Sequence, residues 1–101
     1  MNQMQQMLMQ ANKMQRELEK AHAALAEKEF ETSKGGMVRL VMKGDKTISV
    51  LDIEKDALDP ENKEMLEESI KMALTELGET IDKESAAIEE KVTGRKGGFP
   101  F

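Results

Sequence analysis

At 101 residues without a single cysteine, the chain has room for one domain and none for disulfides, thiolate chemistry or a cysteine-based zinc site. Apolar residues supply 39% and charged residues 35% of it, and three Phe with neither Trp nor Tyr leave little aromatic volume for a core, which points to a partner subunit. The net charge of −5 is unevenly spread: residues 1–50 carry eight basic and six acidic side chains, residues 51–101 seven and fourteen, and 1–16 and 91–101 hold no acid at all.

The opening MNQMQQMLMQ alternates Met with Gln and lacks both the basic start and the unbroken apolar run of a signal peptide. No apolar stretch nears the roughly 20 residues of a membrane span. The expectation is a soluble, cytoplasmic protein with no membrane partner.

Met4, Met7, Ala11, Met14, Leu18, Ala21 and Leu25 follow one another at alternating steps of three and four, a heptad seam held for three repeats. No Gly or Pro interrupts residues 3–28, and Ala, Met, Gln, Glu and Lys favour helix. The spacing predicts a helix of roughly 26 residues, about 39 Å long. A domain of this size cannot wrap such a rod, so part of it should project. The Met stripe reads as packing surface, although adaptable Met surfaces also grip partner chains. His22 lies on its flank with no second His or Cys to make a metal site.

After Phe30 the period changes to two. GMVRLVMK places Val38, Leu40 and Met42 on one face of a strand, with Arg39 and Lys43 on the other, KGDK forms a turn, and TISVLDIE returns. Ile48, Leu51 and Ile53 break strict alternation once, which predicts a bulge near Val50. FETS, before Gly35-Gly36, is a third and shorter strand. Three strands leave a face and two edges to protect, and pairing with a second copy through Val38, Leu40, Met42, Ile48, Leu51 and Ile53 answers both needs. The segment KGGMVRLVMKGDK gathers Lys34, Arg39, Lys43 and Lys46 against the single acid Asp45. These cations protect a strand edge, or together form a phosphate-binding surface.

Asp59 reads as N-cap and Pro60 as the first position of a second long helix, with Glu61 and Glu64 near its positive end. Leu66, Ile70, Ala73, Leu74, Leu77, Ile81, Ile88 and Val92 mark its apolar stripe, Gly78 is a possible bend and Gly94 the stop. Glu67-Glu68 and Glu89-Glu90 belong to a solvated acidic face rather than a metal or acid-base site. RKGGFPF is expected to form a flexible basic tail over residues 95–101, following a single domain at 1–94. With no phosphate-loop glycines, no Gly-x-Ser-x-Gly and one His, the sequence holds no catalytic arrangement, cofactor site or small-molecule substrate site, and it is not read as an enzyme.

The KMQ of the first helix, GGMVRLVMKG at Gly35–Gly44, LDPENKEMLEE at Leu58–Glu68 and the Gly-Phe-Pro tail together resemble the YbaB/EbfC family of bacterial nucleoid-associated proteins over essentially the whole chain. The resemblance implies an α+β fold: a long N-terminal helix, a short antiparallel three-stranded sheet and a long C-terminal helix. It also implies a homodimer whose joined sheets carry the helices like tweezers, and double-stranded DNA as partner, bound with modest sequence preference. The candidate DNA contacts are Lys13, Arg16, Lys20, Arg39, Lys43, Lys46, Arg95 and Lys96, reaching phosphates rather than bases. The alternative is a protein-interaction or chaperone-like module that uses Met-lined projecting helices. A pI near 5.0 is low for a DNA binder and requires that basic and acidic surfaces be segregated.

Overall fold

A computed structural model describes residues 2–94, an elongated body of 71 × 20 × 13 Å. Helix α1 spans Gln3–Glu27. It starts at a capping box: the Gln5 amide N–H donates to Asn2 Oδ1 (2.8 Å) and the Asn2 N–H to Gln5 Oε1 (3.3 Å). The Asn-x-x-Gln spacing at positions 2–5 carried that signal in the sequence. Lys28 turns extended, and strand β1, Glu29–Lys34, follows at once.

Strands β1, β2 (Val38–Lys43) and β3 (Ile48–Ile53) form an antiparallel sheet in that order, with β2 central. Gly35 (φ 59°) and Gly36 (φ 66°) make the first turn in a backbone region where side chains are strained. In the second pair Val41 faces Val50 while Met42 faces Ile48, so Ser49 is the extra residue of a bulge, one position from the expected one. Its hydroxyl donates to the Val41 carbonyl (3.3 Å), giving the unpaired residue a bond of its own.

The start of the second helix differs from expectation. Asp59 does cap, accepting from the Glu61 N–H (2.9 Å), but what it caps is a 3₁₀ turn, Pro60–Asn62. Helix α2 proper is Lys63–Thr93. Pro60 suits either kind of helical turn, so sequence does not separate them. α2 runs unbroken through Gly78 and ends where Gly94 (φ 71°) donates its N–H to the Glu90 carbonyl.

α2 lies across β1 and β2 and leaves β3 largely uncovered. Beneath it Leu25, Phe30, Leu40, Met42, Ala73, Leu77 and Ile81 form the core. The cross-strand partners Leu40/Leu51 and Val38/Ile53 put the β3 side chains on the same face as that core. Leu51 and Ile48, beyond the reach of α2, remain about half exposed (48% and 47%).

α1 runs antiparallel to α2, tied to it by His22 Nε2 to Glu89 Oε1 (3.0 Å) and Lys28 Nζ to Glu84 Oε1 (2.7 Å). From those levels α2 ends near Leu18, the last seam residue toward the N-terminus to be buried. Residues 2–13 are all exposed, and α1 projects about 24 Å beyond it.

Candidate nucleic-acid interface

The cations of the hairpin are consumed within the chain. Lys34 Nζ bridges to Glu76 Oε2 (3.0 Å) on α2, Arg39 to Glu31 (3.1 Å) on β1, Lys43 to Glu27 (3.6 Å) on α1, and Lys46 to Asp82 (2.9 Å) on α2. Each carboxylate comes from a different stretch than its cation, so the local excess of charge at residues 34–46 is an attachment surface for acidic elements packed around the hairpin. The exposed pairs contribute little individually, about 0–1 kcal/mol each. Each hairpin cation thus has a carboxylate neighbour within the chain.

Glu76 is the most elaborately held of these acids. The Thr32 hydroxyl donates to Oε2, which Lys34 also approaches, and these two partners hold its carboxyl below the usual range, the Thr32 bond being the larger cause. In the second turn Asp45 Oδ1 accepts from the Thr47 N–H (2.9 Å), and the Thr47 bonds lower the Asp45 carboxyl in the same way.

On α1 the situation is the reverse. Among the described residues no carboxylate lies within ion-pairing distance of Lys13, Arg16 or Lys20. Lys13 and Lys20 are seven residues apart and share a helix face, with Arg16 beside them. Gln6, Met9, Gln10, Lys13 and Arg16 line one shallow depression of about 300 Å³. Glu17 is the first acid along the chain and borders this face between Lys13 and Lys20. Arg95 and Lys96 lie outside the described residues.

The opposite face of the projecting segment is apolar. Met4 (71%), Met7 (62%) and Leu8 stand exposed and line a groove of about 430 Å³ with Gln3 and Ala11. The seam therefore divides: Leu18 and Leu25 are buried, Met14 and Ala21 half-buried, and the residues before them uncovered by any described residue.

The six candidates for a subunit contact also divide. Val38, Leu40 and Met42 are buried within the chain's own structure, Leu40 and Met42 directly in the core beneath α2. Alternation announced a buried face without saying what buries it. Ile48, Leu51 and half-buried Ile53 remain available on β3, whose outer edge has no strand partner among the described residues. Among those residues there is likewise no group of three His, Cys, Asp or Glu able to hold a metal ion, and no helix long and apolar enough to cross a membrane.

Sequence reasoning missed the neutralisation of the hairpin, because its acids come from positions 27, 31, 76 and 82 and no local spacing links them to their cations. It also missed the association of Gln6 and Gln10 with Lys13 and Arg16, although the steps of three and four between these positions were there to read.

A nucleoid-associated protein of Enterococcus faecalis is 39% identical to this chain over 100 residues, 98% of this chain and 96% of that protein. A second, from Mycoplasmopsis pulmonis, is 38% identical over 96 residues, covering 95% and 93%. The model of the YbaB/EbfC DNA-binding family matches residues 1–96. With a projecting helix that carries unpaired cations and a match along nearly its whole length, the chain belongs to the YbaB/EbfC DNA-binding family.

Proposed function

We propose that the protein is a nucleoid-associated homodimer that grips double-stranded DNA through its phosphates, using Lys13, Arg16 and Lys20 on α1, and that it serves nucleoid organisation and gene regulation in the cytoplasm without chemistry of its own. The observation that carries this reading is the contrast between spent and free cations. Those of the hairpin are each bridged to a carboxylate, while Lys13, Arg16 and Lys20 on α1 have no carboxylate within ion-pairing distance among the described residues. The segregation reconciles an acidic pI with a polyanionic partner: the acids surround the sheet and α2, and the first 16 residues have none. The uncovered β3 face supports the homodimer, since a free strand edge beside exposed Ile48 and Leu51 is stabilised by pairing with a second copy.

The test is a fluorescence-anisotropy titration of a labelled random duplex at about 50 and about 200 mM salt, where phosphate contacts predict a steep loss of affinity. Lys13→Gln/Arg16→Gln should weaken binding and lower the slope of log K against log salt by about two per bound chain. Lys43→Gln/Lys46→Gln should leave the slope nearly unchanged. The reverse ranking would return the contact to the hairpin, and salt-independent binding would overturn the phosphate reading.

Exposed Met4, Met7 and Leu8 favour a second reading, in which the apolar side of the same segment holds a partner helix or unfolded chain. Because that side is opposite the basic one, Met4→Ser/Met7→Ser separates the two functions: DNA affinity should stay the same while any capture of apolar peptide is lost.

A further inference from the structure

Phosphate binding accounts for Lys13 and Arg16 but not for the amides that share their depression. We infer that Gln6, Met9 and Gln10 read base edges in the major groove and give the protein a preference for A·T pairs. The inference rests on the duplex-DNA reading above and deepens it.

Position comes first. These residues sit on the part of α1 that is exposed on all sides among the described residues and precedes every acid in the chain. A helix about 10–12 Å across enters a major groove about 12 Å wide. Gln10 and Gln6 lie about one and two turns nearer the start of α1 than Lys13. With Lys13 and Arg16 on phosphates at the groove wall, a helix entering by its N-terminal end carries the two amides deeper than the cations.

Chemistry comes second. A Gln amide presents a donor and an acceptor side by side, the complement of adenine N6 and N7, and an apolar side chain suits the thymine methyl. Met9, 56% exposed, lines the same depression as the two amides. The other glutamines of α1 are differently engaged: Gln5 completes the capping box, Gln15 bonds Glu19 (3.4 Å), and Gln3 lines the apolar groove. Gln6 and Gln10 have no side-chain hydrogen bond among the described residues. A neutral amide adds nothing to counterion release. For affinity alone a lysine at either place would serve better, so what an amide adds is discrimination.

The test compares labelled duplexes of A·T, G·C and inosine·C pairs, with wild type and Gln6→Ala/Gln10→Ala, and repeats the A·T duplex with uracil replacing thymine for wild type and Met9→Ala. Inosine·C looks like A·T from the minor groove and like G·C from the major groove. The expected result is A·T favoured over both others by about tenfold or more, as one bidentate contact provides. That preference should vanish in the glutamine variant with its salt slope unchanged, and removal of the thymine methyl should weaken wild type but not Met9→Ala. Inosine·C bound as tightly as A·T would place the contact in the minor groove and overturn the inference, as would a preference that survives in the variant or is absent from wild type. Failure of wild type to bind any duplex at low salt would instead refute the DNA reading on which it rests.

Discussion

The hairpin turn and the last turn of α1 approach so closely that one methyl group should separate them. A Cβ on Gly44 would lie 1.8 Å from the Leu25 carbonyl oxygen and 2.6 Å from its carbon, where real contacts essentially never fall below 3.0 Å. Both obstacles are backbone, so no side chain can swing aside. Either the turn or the end of α1 must retreat, and the Gly44 N–H to Lys28 carbonyl bond (2.9 Å) breaks with it. Overpacking costs about 1–3 kcal/mol and the lost bond about 1 kcal/mol, so Gly44→Ala should destabilise by about 2–4 kcal/mol. At about 4–8 °C per kcal/mol for a domain of this size, Tm should fall by about 8–32 °C. With neither Trp nor Tyr in the chain, far-UV circular dichroism at one fixed protein concentration is the assay. Gly78→Ala is the matched control: no atom lies within 4 Å of the added methyl, and replacing a mid-helix glycine should stabilise by about 1 kcal/mol. A Gly44→Ala loss below about 0.5 kcal/mol, the range of a neutral surface change, would refute the close approach.

Glu76→Gln tests the carboxylate shared by Thr32 and Lys34. A carboxyl held below its ordinary value of 4.5 gives stability that is present above that value and is lost as pH falls through the folded-state value. Wild type should therefore lose more urea resistance than the variant between about pH 6 and about pH 3.5, and parallel losses would show that the group does not matter. Leu51→Arg, which charges the uncovered face of β3, should shift sedimentation from dimer to monomer with helix content retained; a wild type that sediments as a monomer would remove the homodimer reading. Glu17→Gln removes the acid bordering the basic face and should tighten binding to a random duplex about twofold, the scale of an exposed charge at about 0.5 kcal/mol, whereas unchanged affinity would place the contact away from this face.

Periodicity made the fold legible. Steps of three and four gave α1, alternation at 38–42 gave β2, and Gly35-Gly36 and Gly94 gave a turn and a stop, because each follows from backbone geometry a few residues long. What periodicity leaves open is the identity of the covering surface. Val38, Leu40 and Met42 satisfied the pattern of a subunit contact and are buried inside the chain; Met4 and Met7 satisfied the pattern of packing and are exposed. The candidate cations were legible as residue types and spacings, but not which of them are ion-paired among the described residues. Lys13, Arg16 and Lys20 could be read from the first helix, but the neutralisation of Arg39, Lys43 and Lys46 depends on contacts across as many as 36 residues, from Lys46 to Asp82.

The overhang of α1 has an electrical consequence. Along the 71 Å body, residues 2–16 carry two cations and no acid, while all twenty acids lie in residues 17–94 against eleven cations. Such a distribution gives the rod a dipole moment along its length, and in the field of a polyanion it experiences a torque before it experiences contact. The end that carries Lys13 and Arg16 turns toward the polyanion and the acidic body is pushed back. Under the duplex-DNA proposal, approach by that end is favoured and lying lengthwise against the duplex is opposed by the carboxylates of α2.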